Sequence, residues 1–181
     1  MASQQPQAFA QAREYSPTKT VGLISDTHIP VRARSIPKRV FEVFDKVDYI
    51  IHAGDLVQLS VLDELEQLAP VLAVYGNMDG FDIRGRLTKL NSLRVFDWKI
   101  GVVHAPGTLF GMGKARDIAA KNGFNALVYG HTHNASIKWE ENVLFINPGS
   151  PTNPLPPFIA KPTVGLLKIT KEKMYPAIVQ V

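Results

Sequence analysis

The stretch Thr20-Val21-Gly22-Leu23-Ile24-Ser25-Asp26-Thr27-His28 sets the architecture. Its first part is a short apolar run without helical spacing, the pattern of a strand buried on both faces. It ends in two side chains able to hold a metal, Asp26 and His28, where the strand must stop. The same arrangement recurs downstream. Asp48-Tyr49-Ile50-Ile51-His52-Ala53 is a second apolar strand stopped by Gly54-Asp55, and Val71-Leu72-Ala73-Val74-Tyr75 is a third stopped by Gly76-Asn77. Two helices are predicted between them. Ser35 caps the first, with Pro37 in its first turn and Ile36, Val40, Val43, Phe44 and Val47 on one face. Ser60 caps the second, which buries Val61, Leu62, Leu65 and Leu68. Strands alternating with helices imply a parallel sheet covered on both faces, an α/β architecture.

The second half changes character. Leu93–Phe96 and Ile100–Val103 form a predicted hairpin turning at Asp97-Trp98-Lys99. A helix from Lys114 to Lys121 stops at Asn122-Gly123, a C-terminal signal. A strand follows at Ala126-Leu127-Val128-Tyr129, then a hairpin of Ser136–Trp139 with Val143–Ile146. Pro148 to Pro162 contains six prolines and reads as an irregular loop bordering the cleft or simply capping the surface. Thr163–Thr170 and Met174–Val181 close the chain as a hairpin.

Composition narrows the function classes. A chain of 181 residues, 45% apolar and 20% charged, is long enough for one domain with its own core, here 19–181. Residues 1–18 are Gln- and Ala-rich with little apolar periodicity and read as a flexible tail. The absence of cysteine excludes disulfides, thiolate metal sites and a catalytic Cys. No apolar run reaches the ~18–20 residues that span a bilayer. The first residues lack a secretory signal, so a cytoplasmic protein without membrane partners is expected. A net charge of +4 tolerates anionic partners without specifying one. Arg32, Arg34, Lys38 and Arg39 form the densest basic group, and an ordinary solvated surface accounts for them.

The polar residues fall on this map in a pattern. Asp26 and His28 end the first strand, Asp55 the second and Asn77 the third; His104, then His131 and His133, end later strands. Ligand crevices of open α/β sheets lie outside the strand carboxyl ends, so these groups can converge. Asp26 and His28, like His131 and His133, are two apart and would project to one side of an extended segment. Taken singly, each Asp or Asn is a turn former and each His a core or surface residue. Four of the five histidines at strand ends are not explained by independent turns; the fifth, His52, lies inside a strand and is assigned to structure. Oxygen and imidazole donors without thiolate suit Mn, Fe, Ni, Zn or Co. Seven donors exceed the needs of one ion and fit two ions about 3.5–4 Å apart, the spacing used in phosphoryl transfer.

In order, Asp26-Thr27-His28, Gly54-Asp55, Gly76-Asn77-Met78-Asp79, His104 and Gly130-His131-Thr132-His133 resemble the signature of the calcineurin-like metallophosphoesterases. The resemblance runs from residue 20 to the end of the chain. Asn147-Pro148-Gly149-Ser150 is similar to the compact phosphodiesterase branch, and His28-Ile29-Pro30 to its retromer scaffold relative. The resemblance implies a two-layer mixed β-sheet sandwich flanked by helices. It implies that Asp26, His28 and His133 hold one divalent ion, manganese by preference, that Asn77, His104 and His131 hold a second, and that Asp55 bridges them. A hydroxide between the ions would attack a small phosphodiester in line.

Two positions depart from the family. Met78 stands where many members carry a His that protonates the leaving group, and His104-Ala105-Pro106 stands where the compact branch shows His-Gly-His. A positioned proton donor contributes about 10²–10⁴-fold, so acidic leaving groups should be favoured. Asp79 is a candidate replacement donor or a cap for the next turn. Gly107, Gly111 and Gly113 lie in a loop that either presents backbone N–H groups to a phosphate or merely links strand to helix. The alternative to an enzyme is a non-enzymatic docking scaffold. A nuclease is not favoured, because 181 residues leave no room for a DNA-capping domain. A homodimer is compatible with the sequence, which does not set the oligomeric state.

Overall fold

Among the described residues, ten strands divide into two mixed sheets of five, stacked face to face. The structure is a computed structural model that describes residues 17–107, 112–154 and 160–181. In chain order the elements are β1 (Lys19–Ile24), α1 (Lys38–Phe44), β2 (Tyr49–His52), α2 (Ser60–Glu66), β3 (Val71–Ala73), α3 (Phe81–Arg84), β4 (Leu90–Val95), β5 (Trp98–Val103), α4 (Gly113–Asn122), β6 (Ala126–Tyr129), β7 (Ser136–Glu140), β8 (Val143–Asn147), β9 (Thr163–Ile169) and β10 (Met174–Gln180). The first sheet has the order β10-β9-β1-β2-β3, the second β4-β5-β6-β8-β7. β1, β2 and β3 run parallel, as do β5, β6 and β8. The expected fold class holds.

Burial explains the apolar runs. Val21 and Leu23 face the second sheet and pack with Ile51, Val102, Val128 and Ile146 in the central layer. Ile24 and Ile50 face outward and pack beneath Val40, Phe44, Val61 and Leu65 of α1 and α2. On the opposite side Leu127, Tyr129 and Phe145 receive Ala115 and Ala119 of α4. Each central strand is therefore covered twice, which is why alternation is missing from its sequence. Among the described residues no helix is long and apolar enough to cross a membrane.

Several local expectations are corrected. Ser35 and Ser60 do not cap: α1 starts after Pro37 and α2 after Leu59, neither with a side-chain cap bond. Pro37 has its φ preset at −56°, so α1 starts with φ already in place. The β4–β5 hairpin turns on Phe96-Asp97 alone, because Trp98 and Lys99 already pair with Val95 and Arg94. Trp98 gains a further hold by donating its indole N–H to Thr170 O at 2.8 Å. The helix α3 was not expected; its single turn is too short to show periodicity. Gly123 ends α4 as read, with φ +63° and its N–H on Ala119 O and Ala120 O. The Glu141-Asn142 turn between β7 and β8 has both residues at positive φ, matching the strand twist. The tail expected over 1–18 falls mostly on residues 1–16, outside the described residues, as do 108–111 of the Gly-rich loop and 155–159 of the Pro-rich one.

Candidate metal centre

The parallel strands β1, β2, β3, β5 and β6 all release their chains at one end of the sandwich, and all seven sequence-selected donors lie there. The turns are sharp. Asp26, His28, Asp55, His131 and His133 all have left-handed φ, between +46° and +72°. That region costs an L-residue about 1–2 kcal/mol. Asp26 and His28 therefore do not project from an extended segment as expected. Their backbone N–H groups donate to Gly54 O at 2.9 Å and Asp55 O at 3.0 Å, which keeps the chain pinned to the end of β2 while it turns.

Two clusters result. Asp26 Oδ1 is 3.3 Å from His133 Nε2 and 3.9 Å from His28 Nε2. The two imidazole nitrogens are 3.1 Å apart. In the second cluster Asn77 Oδ1 is 3.0 Å from His104 Nε2 and 2.9 Å from His131 Nδ1. Asp55 Oδ2 lies between the clusters, 3.3 Å from His104 Nε2 and 3.8 Å from His28 Nε2. Asp26, His28, Asp55 and His104 are buried, whereas Asn77 is exposed, so the centre is open to solvent on one side.

Backbone carbonyls orient the rings. His104 Nδ1 lies 2.8 Å from Ala53 O, and His133 Nδ1 2.5 Å from Asn153 O. A carbonyl only accepts, so each Nδ1 carries a proton, and Nε2 is the nitrogen turned toward the cluster. This is the arrangement by which outer partners prepare imidazoles for a cation. The donor set, carboxylate and amide oxygens with neutral imidazoles, fits divalent cations of the Mn-to-Zn series.

Electrostatics agree with a crowded anionic pocket. Burial pushes the Asp55 carboxyl up, but the His104 imidazole, the Met78 N–H and His28 outweigh it and hold the group below the usual carboxylate range. Burial lowers His104 and His133, yet the carboxylates of Asp55 and Asp26 bring both above the ordinary imidazole value. For His28 burial prevails and its value is lowered. His52 stays out of the clusters, as read. It is fully buried and pushed by burial down to about 4. Its Nδ1 accepts the Gly54 N–H at 3.2 Å, leaving Nε2–H for Thr27 Oγ1 at 3.2 Å.

A supporting layer escaped the sequence reading. Asp79 does not cap α3, where Gly80 holds the cap position. Its buried carboxylate accepts the N–H groups of Asp55 at 2.9 Å, Gly76 at 2.6 Å and Val57 at 2.7 Å, tying two donor loops together. Gly76 has to be glycine, since a Cβ there would stand 2.1 Å from Asp55 Oδ1. Asn147 bonds Gly130 O and Thr132 Oγ1, both at 3.0 Å, which braces the His131–His133 turn. Ser150 donates to Asp26 O at 2.7 Å. The Pro-rich loop thus borders the centre through Ser150, Thr152 and Asn153. The only sequence signals were Asp79 beside Asn77 and the Asn147–Ser150 block at the end of β8.

Residues 20–172 match the calcineurin-like phosphoesterase superfamily domain. The chain belongs to that superfamily. A probable metallophosphoesterase of Methanothermobacter thermautotrophicus is 42% identical over 161 residues, spanning 85% of this chain and 88% of the relative. A phosphodiesterase of Methanocaldococcus jannaschii is 32% identical over 176 residues, covering 88% and 98%. In fold, vacuolar protein sorting 29 of Cryptosporidium parvum superimposes with a TM-score of 0.76 at 21% identity, over 91% of this chain and 98% of the other. As a calcineurin-like phosphoesterase the chain is a member of a metal-binding hydrolase family, and divalent cations are the group its converging donors fit.

Proposed function

We propose that this calcineurin-like phosphoesterase is a dinuclear, metal-dependent phosphodiesterase acting on small diesters. Asp26, His28 and His133 would hold one cation and Asn77, His104 and His131 the other, with Asp55 serving both. The observation that carries this is the convergence of both clusters on Asp55 Oδ2, with carbonyl-fixed imidazoles aimed inward. Two bound cations would supply Lewis-acid charge to an attacking water and to the phosphoryl oxygens. Manganese is the proposed metal, with nickel, iron, zinc or cobalt as alternatives.

The chain's own residues set the rest. Asp55 stays ionised, held by His104 and by the Met78 N–H at 2.7 Å. Met78 is 51% exposed at the mouth and offers no proton, Pro106 offers none, and Asp79 is engaged with backbone N–H groups. Leaving groups therefore depart largely unprotonated, which favours aryl over alkyl diesters by about 10²-fold or more. The test is hydrolysis of bis(p-nitrophenyl) phosphate by chelated protein before and after Mn²⁺ or Ni²⁺ is added. Activity restored by metal is expected. Metal-loaded protein inert toward every diester and monoester would refute the proposal, and protein that takes up no metal at micromolar concentrations would favour a docking role.

A further inference from the structure

Beside the centre, sharing Asn77 and His104 with it, opens a cleft of about 330 Å³ whose walls include Tyr75, Arg84, Lys89 and Ala105. It is distinct from the smaller hollow of about 190 Å³ directly over the donors, bounded by His28, Asp55, Asn77, His131 and His133. The two meet at Asn77. A phosphoryl group seated in the smaller hollow has one ester arm next to the larger cleft. At the low end of the ~300–1,000 Å³ of small-molecule sites, the cleft admits a compact arm rather than a polymer.

Its charge is one-sided. Arg84 and Lys89 line it, and no carboxylate does among the described residues. Arg84 is held in place: its Nη2 donates to Asn77 O at 2.9 Å, and its guanidinium lies 5.6 Å from the centre of the Tyr75 ring. Lys89 is exposed and makes no hydrogen bond or ion pair among the described residues, so its ammonium is free to meet a ligand. A cleft lined by charge of one sign, with low-dielectric walls such as Tyr75 and Val103, concentrates the opposite charge.

We infer that this cleft is an ester-arm subsite selecting phosphodiesters in which one arm carries a second compact oxyanion, with Lys89 as the charge-pairing residue and Arg84 as the fixed wall. The inference deepens the phosphodiesterase reading and rests on it.

The test uses three p-nitrophenyl diesters whose second arm is a short alkyl chain ending in a carboxylate, a methyl or a trimethylammonium group. With the Mn²⁺-loaded full chain, kcat/KM should rank carboxylate above methyl by about tenfold and methyl above ammonium, and the spread should shrink as salt rises. Lys89→Gln should compress the carboxylate-to-ammonium ratio, and Lys89→Glu should invert it. Lys89 is exposed, so neither change threatens folding. Hydrolysis of all three diesters at equal efficiency, or a ratio untouched by both Lys89 variants, would overturn the subsite while leaving the phosphodiesterase intact. No hydrolysis of any of the three would instead remove the reading beneath it.

Discussion

Asp55 and Asp79 are both buried carboxylates at the end of the sandwich, yet they do opposite work. Asp55 turns one oxygen to the Met78 N–H and leaves the other between the two clusters. Asp55→Asn keeps the first contact and removes the charge that the two proposed cation positions would share, so bound metal should fall and kcat drop by about 10²-fold or more, read by elemental analysis and turnover. Asp79 aims both oxygens at backbone N–H groups. In Asp79→Asn the amide would face one of those donors with a donor of its own. A loss of about 1–3 kcal/mol in urea unfolding of the metal-free protein is expected, with metal affinity weakened about tenfold. Asp55 was legible because Gly-Asp after a strand fits an ordered set of donors. Asp79 was not, because its role depends on the N–H of Val57, a residue 22 positions away.

Among the elements, the helices were readable from their buried stripes but not from their starts. Ser35 and Ser60 occupy positions where capping is common, yet Pro37 and Leu59 hold the cap sites, and neither helix has a side-chain cap. Ser35→Ala should therefore cost under about 0.5 kcal/mol, rather than the ~1 kcal/mol of a lost cap. The C-terminus of α4 behaves in the opposite way. Gly123 sits at φ +63° with nothing within 4 Å of where a Cβ would be. Gly123→Ala should then cost about 1 kcal/mol through backbone conformation alone, measured as a shift in urea midpoint without change in metal content. Strand identities were clear from apolar runs. Strand limits were not, since ladder partners decide them, as Trp98 opposite Val95 shows.

For the molecule as a whole, acid should act twice. His52 is buried and neutral, with its value near 4, so the unfolded chain takes up that proton first as pH falls below about 6.5. Stability present above 6.5 is then lost toward pH 4, by about 3 kcal/mol at most, and His52→Gln should flatten that limb of the unfolding profile. His104 and His133 are raised, so their contribution to the metal-free fold is full below the unfolded imidazole value and lost as pH rises through their own. A cation must displace those protons. The rise in Tm on adding Mn²⁺ should therefore shrink as pH falls through the raised values of His104 and His133. The sequence by itself determined the order of apolar strands and the type of side chain at each strand end, because periodicity and turn chemistry act over a few residues. Only the tertiary structure decided which atoms meet. Asp26 accepts the His131 N–H across 105 residues, Ser150 reaches Asp26 across 124, and Ala53 and Asn153 choose the nitrogens that His104 and His133 turn inward. Those pairings follow from how two sheets stack and twist, and no local pattern in the chain encodes that geometry.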